Sequence, residues 1–221
     1  MNPMLSPSMM CCDFFNLRAQ LDQLESARVE LLHIDVMDGS FVPNIALGTD
    51  FVAQLKRATG IPLDLHFMVE EPERLLGSFA FGEGDWVSIH WESTRHVQRT
   101  LGMIRDRGAH PILAFNPATP AELAVDVLDD VDALLLMTVN PGFAGQKMIP
   151  QSIAKIARTR AWLDANGKET VRIEVDGNVS PENAVRMYGA GADMFVLGTS
   201  AAFAGTDVAG NIRRFRKTVF G

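Results

Sequence analysis

Four residues carry most of the chemistry this chain can offer: His33, Asp35, His66 and Asp176. Two imidazoles and two carboxylates are a donor set suited to zinc, iron or manganese, and to cobalt as well. The first pair sits in His33-Ile34-Asp35-Val36-Met37-Asp38-Gly39. Its alternation is that of a β-strand, with His33, Asp35 and Met37 on one side and Ile34 and Val36 on the other. Leu31 and Leu32 lead into it and mark the strand as covered on both faces. Charge on a covered face needs a partner or a metal. His66 stands in Leu63-Asp64-Leu65-His66-Phe67-Met68, and Asp176 closes Ile173-Glu174-Val175-Asp176, just before Gly177. Each residue alone has an ordinary reading, as a core histidine or a turn-forming aspartate. Their coincidence at three strand ends is what favours a metal site. Glu174 alternates with Ile173 and Val175 and is expected to face the same mouth as support for the others. Asp38 points away from Asp35 by alternation, and with Gly39 it reads as the turn that ends the strand.

Eight short apolar runs, at 4–8, 31–37, 63–68, 86–90, 112–116, 133–139, 171–176 and 194–197, read as strands. Helical stripes lie between them: Phe14, Leu17, Leu21 and Leu24; Phe51, Leu55 and Ala58; Leu75, Leu76 and Phe79; Val97, Leu101 and Ile104. Thr119-Pro120-Ala121-Glu122 reads as a capping box. Ile153, Ile156 and Leu163 continue the pattern; Ser180-Pro181-Glu182 opens another helix, and Val208, Ile212, Phe215 and Val219 form the last. Eight strands each followed by a helix predict an α/β fold, a single (β/α)8 TIM barrel over residues 1–221. An open doubly wound sheet would carry a glycine-rich turn after its first strand, where this chain has Ser6-Pro7-Ser8-Met9-Met10.

In such barrels the chemistry gathers at the C-terminal ends of the strands. Met37, Met68 and Met137 all lie there and would add polarizable, uncharged surface, although methionine is commonly core filling. Val139-Asn140-Pro141-Gly142-Phe143-Ala144-Gly145-Gln146 has the glycines of a mobile lid. Gly177-Asn178-Val179-Ser180 and Gly198-Thr199-Ser200 follow the seventh and eighth strands. Glycine and hydroxyl residues at a helix start offer free N–H groups and a favourable dipole, so phosphate is expected at those two loops.

The bulk properties limit the partners. The chain has 221 residues, 47% of them hydrophobic, and a formal net charge of −7. No basic stripe suggests a nucleic-acid partner, while a small anion remains open to backbone dipoles. No apolar run spans a bilayer and residues 1–15 lack a signal-peptide pattern, so no membrane partner and a cytoplasmic location are expected. The two cysteines, Cys11 and Cys12, are neighbours and read as reduced packing residues.

These motifs resemble the ribulose-phosphate 3-epimerase family, metal-dependent (β/α)8 barrels acting on phosphorylated ketoses. The resemblance covers essentially the whole chain. It rests on Ser6-Pro7-Ser8-Met9, His33 to Gly39 with Phe41-Val42-Pro43-Asn44, Leu65 to Val69, Asn140 to Gln146 and Glu174 to Gly177. It implies one divalent metal ion on His33, Asp35, His66 and Asp176, with no organic cofactor. It implies Asp35 and Asp176 as the acid/base pair, exchanging the C3 proton through a cis-enediolate. Ser8 would contact the sugar, and Met37, Met68 and Met137 would cap the intermediate. Gly142, Phe143, Ala144 and Gly145 would close over the substrate, and Gly177, Asn178, Gly198, Thr199 and Ser200 would hold its phosphate. A homo-oligomer is expected. The departures are Ala144 in the lid, Asn178 in place of a second glycine, the Gly198-Thr199-Ser200 turn, and Ser40 where His or Arg is frequent. The lid and the turn look like the allulose-6-phosphate 3-epimerase branch, which leaves ribulose 5-phosphate and a hexulose phosphate both open. The rival readings are a metal hydrolase, a decarboxylase-type barrel (which would need a lysine where Asp64-Leu65-His66 has none) and a phosphate-binding barrel without catalysis.

Overall fold

Nine strands form one sheet in the order β1-β9-β8-β7-β6-β5-β4-β2-β3. They are β1 (Met4–Pro7), β2 (Leu32–Asp38), β3 (Ile45–Ala46), β4 (Leu63–Met68), β5 (Trp86–His90), β6 (His110–Phe115), β7 (Ala133–Met137), β8 (Arg172–Asp176) and β9 (Met194–Leu197). The structure is a computed structural model that describes residues 1–221. All pairings are parallel except that of β3, a two-residue strand antiparallel to the end of β2. The sheet curls until β1 meets β2. There Ser8 bridges His33 in parallel register and the Leu31 N–H donates to the Leu5 carbonyl at 3.2 Å. Closure removes the exposed edges that an open sheet would present. The eight expected strands are thus the staves of a (β/α)8 barrel, and β3 is an addition with no apolar run to announce it.

Six helices cover the outside: α1 (Leu17–Ser26), α2 (Thr49–Ala58), α3 (Val97–Arg105), α4 (Ser152–Ala165), α5 (Pro181–Gly189) and α6 (Val208–Phe220). Two expected helices do not form. Leu75, Leu76 and Phe79 lie in or beside two short 3-10 turns, Pro72–Arg74 and Leu76–Ser78, after a left-handed Glu71. The segment after β6 is a 3-10 stretch, Ala121–Val127, with no side-chain cap. Both halves of the expected capping box are engaged elsewhere: Thr119 lies against Glu92, and Glu122 accepts from Arg158 Nε at 3.0 Å. Two stripes also shift, because Phe14 and Ala58 are exposed and Val52 takes a buried place on α2.

Alternation then divides the molecule. Outward residues such as Ile34, Leu65, Phe67, Ile89, Phe115, Ile173 and Phe195 join the helix faces in one continuous apolar cluster. Inward residues split by strand. On β6, β7 and β9 they are apolar, with Ile112, Ala114, Ala133, Leu135, Met137 and Met194 packed together. On β1, β2, β4, β5 and β8 they include Ser6, His33, Asp35, Asp64, His66, Ser88, His90 and Glu174, all buried. One half of the barrel interior is therefore polar, and each of those groups needs a partner because burial shuts it off from bulk solvent.

Candidate functional site

Asp35 and Asp176 sit near the C-terminal ends of β2 and β8, with β9 and β1 between them in the sheet. Their carboxylates come to one spot from different sides of the mouth. His33 Nε2 lies 3.3 Å from Asp35 Oδ1. His66 Nδ1 lies 3.5 Å from the same oxygen and 3.7 Å from Asp176 Oδ2. One donor atom from each of the four residues falls within 4.8 Å of all the others. The two imidazole nitrogens facing this spot, His33 Nε2 and His66 Nδ1, are buried and have no hydrogen-bond partner. An unmade hydrogen bond of that kind costs about 1–3 kcal/mol. Two imidazole nitrogens and two carboxylates pointed at one place fit a divalent cation, which would satisfy all of them.

The far sides of the imidazoles are held. His33 Nδ1 stands 2.6 Å from Asp64 Oδ2, and that oxygen also accepts the Ser6 hydroxyl at 2.8 Å. His66 Nε2 stands 2.8 Å from His90 Nε2. Glu174 was expected to face the mouth. It lies a layer deeper, fully buried beside Asp64 and 3.9 Å from His33 Nδ1. Asp64 and Glu174 form a second acidic group with His33, but through the nitrogen already bonded to Asp64, so this group supports the centre from below.

Charge is unevenly distributed over these groups. Burial alone would raise the Asp35 carboxyl, but His33 and His66 outweigh it and hold Asp35 far below the usual range. Burial, then the charge of Asp35, pushes Asp176 up to about 6. Burial works to lower His33, and Asp64 and Asp35 reverse this, leaving it well above an ordinary histidine. Burial, then the Asp64 charge, raises Glu174 well above the carboxylate range. A pair of carboxyls set apart in this way is the pattern of a site in which one group stays ionised and the other exchanges a proton near neutrality.

Above the centre opens a cleft of about 640 Å³, counted to its solvent opening. Asp35, Asp176, Ser8, Met37, Met68, Met137, Gly142, Phe143, Ala144, Gly145, Gly177, Asn178, Gly198, Thr199 and Ser200 all line it, while His33 and His66 form the floor beneath. The Ser8 hydroxyl donates to Asp35 Oδ2 at 2.7 Å, which fixes the carboxylate that faces the cleft. Asn44 Nδ2 donates to the Gly142 carbonyl at 2.8 Å, and Gln146 Nε2 to the carbonyls of Asn140 and Phe143 at 2.6 and 2.9 Å. The 142–145 segment is therefore tethered at both ends with Phe143 exposed between.

The opposite end of the cleft is built from backbone. Gly177 has φ +114°, and a Cβ there would come within 2.6 Å of Val139 Cγ2, so no side chain fits. Asn178 follows at φ 51°, and Asn183 Nδ2 donates to both its carbonyl and its side-chain oxygen. Asparagine tolerates the left-handed region, which explains how it stands in place of a glycine. Ser180 caps α5 at the Asn183 N–H. The expected helix start at Gly198-Thr199-Ser200 is a turn instead. Ala201 and Phe203 donate back to the Gly198 carbonyl, and α6 begins only at Val208 behind an acidic cap, Asp207. The Thr199 and Ser200 N–H groups make no backbone bond, and only the Cys11 thiol, a weak acceptor, lies against the first, so both stay open to a stronger acceptor without a helix dipole behind them. No lysine or arginine lines the cleft.

Several residues of the site escaped the sequence reading. Met10, Cys11, Val139, Pro141, Gln146, Val179 and Val196 also line the cleft. Cys11 was taken as packing, yet its thiol reaches the Thr199 N–H in the mouth. Burial and the Asp35 charge push that thiol upward, which disfavours the thiolate. Asp64 shares the inward parity of His66 on β4 and His90 shares it on the neighbouring β5, and that parity is the signal available for them.

A buried two-histidine, two-aspartate cluster that could hold a metal ion, at the C-terminal mouth of a closed barrel, is an arrangement found in (β/α)8 enzymes. Comparison with known proteins is sharper. Residues 4–203 match the model of the ribulose-phosphate 3 epimerase family. The ribulose-phosphate 3-epimerase of Bacillus subtilis (strain 168) is 41% identical over 196 residues, covering 89% of this chain and 90% of that protein. The Escherichia coli (strain K12) protein of the same name is 39% identical, covering 89% and 88%. The chloroplastic ribulose-5-phosphate-3-epimerase of Arabidopsis thaliana is 42% identical, covering 95% and 74%. The chain belongs to the ribulose-phosphate 3 epimerase family. Among solved structures, phosphoribosyl anthranilate isomerase from Thermococcus kodakaraensis superposes with a TM-score of 0.66 at 16% identity, covering 99% of both chains. Orotidine 5'-phosphate decarboxylase from Pyrococcus horikoshii OT3 does so with the same score and identity. These two likenesses concern the barrel alone.

Proposed function

We propose that this chain is a metal-dependent ketose-phosphate 3-epimerase that interconverts D-ribulose 5-phosphate and D-xylulose 5-phosphate. The observation that carries the reading is the convergence of two unpartnered imidazole nitrogens with two carboxylates on the floor of the cleft. His33, Asp35, His66 and Asp176 would hold the cation; zinc, iron, manganese and cobalt all suit them. When bound, it supplies Lewis-acid polarisation of the ketose carbonyl, which acidifies the neighbouring C–H.

The protein's own groups do the rest. Inversion at C3 needs one group to remove the proton on one face and another to deliver a proton on the other, because a single base would return what it took. Asp35 and Asp176 come from strands on different sides of the mouth and meet this need. Asp35, held by Ser8, stays ionised, and Asp176 exchanges a proton near neutrality. Met37, Met68 and Met137 bring apolar, polarizable surface to the reacting carbons and keep water from them. The free N–H groups around Gly177, Asn178, Thr199 and Ser200 would take the phosphate, and the 142–145 segment would close over the sugar.

The pentulose substrate is favoured over allulose 6-phosphate by relatives at 39–42% identity that are named for ribulose phosphate. We read residues 1–221 as one catalytic barrel, with reduced Cys11 and Cys12 suiting the cytoplasm and exposed Phe15 and Ile45 offering apolar surface to a second copy. In D₂O the protein should wash deuterium into C3 of ribulose 5-phosphate, and a strong chelator should stop it. Asp35→Asn and Asp176→Asn should each abolish epimerisation. Full activity in either variant would sink the two-base scheme, and a preference for a hexulose phosphate in a substrate panel would replace the pentulose.

A further inference from the structure

His66 gives Nδ1 to the cluster and turns Nε2 away from it, towards His90 at the end of β5. The two Nε2 atoms are 2.8 Å apart. The rings lie 24° from parallel with centroids 5.0 Å apart, the span of two imidazoles meeting nitrogen to nitrogen. Only one proton fits between nitrogens at that distance, so one ring donates and the other accepts. On its far side His90 Nδ1 faces Glu92 Oε2 at 3.3 Å. Glu92 sits in the turn after β5, where its other oxygen accepts the Asn116 N–H at 2.9 Å and the Thr119 hydroxyl lies against it. A carboxylate gripped by these donors is an acceptor, so the hydrogen of His90 is on Nδ1. His90 Nε2 is then a lone pair, and the proton between the rings belongs to His66. Phe41 packs against the His90 ring, centroids 4.7 Å apart and planes tilted by 47°.

We infer that Glu92 and His90 are positioning residues that lock His66 in the tautomer presenting its Nδ1 lone pair to the cluster. The inference rests on the metal reading above and extends it. His33 is held on a carboxylate directly, through Asp64; His66 ends on a carboxylate too, with a second imidazole in between. Such outer partners orient a ligating histidine and set its basicity.

The test uses nitrogen-15 NMR of the metal-free protein at mildly alkaline pH, together with Co²⁺ titration followed by visible absorption. In the wild type His66 should carry its hydrogen on Nε2. His90→Phe keeps an aromatic ring but removes the acceptor; His66 should lose its single tautomer and Co²⁺ affinity should fall about 10- to 100-fold. His90→Gln restores an oxygen that can accept the same proton, and it should recover both readouts, which a purely space-filling role would not. Glu92→Gln, at the partly exposed end of the chain, keeps its oxygen for Asn116 and offers an amide N–H to His90. That reverses both rings and puts the His66 hydrogen on Nδ1. A wild-type hydrogen on Nδ1, or a Glu92→Gln protein with the wild-type tautomer and Co²⁺ affinity, would overturn the inference. A wild type with the expected tautomer that binds no Co²⁺ would instead overturn the metal reading and leave this one standing.

Discussion

Replacing Gly177 by alanine tests how the substrate end of the cleft is held. At φ +114° an L side chain is strained before it touches anything, at a cost of order 1–3 kcal/mol. The new Cβ would also meet Val139, at 2.6 Å from Cγ2, 2.9 Å from Cγ1 and 2.9 Å from its backbone nitrogen. Overpacking of that kind adds about 1–3 kcal/mol. The sum, about 2–6 kcal/mol, is a large part of a typical domain's stability. Gly145→Ala is the control, since it shares the left-handed backbone at φ +80° and meets nothing within 4 Å. It should cost only the local strain, about 1–2 kcal/mol. Urea unfolding of both variants gives the comparison. Adding Val139→Ala removes two of the three colliding atoms, so the double variant should be more stable than the sum of the singles by about 0.5–3 kcal/mol. The Thr138 hydroxyl donates to the carbonyls of Asp176 and Gly177, so backbone displaced at 177 moves Asp176 as well, and kcat should fall with stability. A Gly177→Ala protein as stable as Gly145→Ala, or strict additivity with Val139→Ala, would refute the reasoning.

Asp176→Asn should stabilise the metal-free protein while ending catalysis. The folded protein holds the Asp176 proton to about 6, against 3.8 in an ordinary aspartate, so ionising it costs stability above pH 6 and nothing below about 4. The variant should gain up to about 3 kcal/mol at neutral pH, with the gain fading as pH falls through that window; Tm measured across it decides, and a gain independent of pH would contradict the assignment. Asp64→Asn leaves His33 Nδ1 and the Ser6 hydroxyl without their carboxylate, and metal affinity measured by titration should drop about 10- to 100-fold. Gln146→Ala frees the carbonyls of Asn140 and Phe143 and should cost about 1 kcal/mol of loop order, read as a roughly fivefold loss in kcat/KM with metal binding unchanged.

The staves and the donor set were legible because alternation in a strand is a strict geometric rule. Once His33 is inward, so are Asp35 and Met37, and parallel register carries the same parity to His66 and Met68 on β4. The same parity placed Glu174 inward, but period alone does not give depth along the barrel axis, and Glu174 sits a layer below the mouth. Helices proved less legible where their end signals had competitors. Thr119 and Glu122 spell a capping box, yet each finds a stronger partner across the fold, in Glu92 and Arg158. Gly198-Thr199-Ser200 has the residue types of a helix start, but a turn exposes N–H groups equally well. The His66–His90–Glu92 chain was invisible because it depends on ring orientation across strands, which no spacing within one segment records.

The absence of any lysine or arginine along the cleft also governs how substrate arrives. A phosphate ester carries about two negative charges near neutrality, and this chain carries a net −7. The chain's net charge therefore opposes the approach of the substrate, and among the protein's own groups only uncharged donors at contact distance attract its phosphate. Electrostatic steering normally speeds encounter at low ionic strength and loses that advantage in salt. Here the sign reverses. Salt at 0.1 M shortens the reach of the repulsion to about 10 Å, so encounter quickens as salt is added. Wherever capture limits kcat/KM, that constant should climb with ionic strength before it levels off.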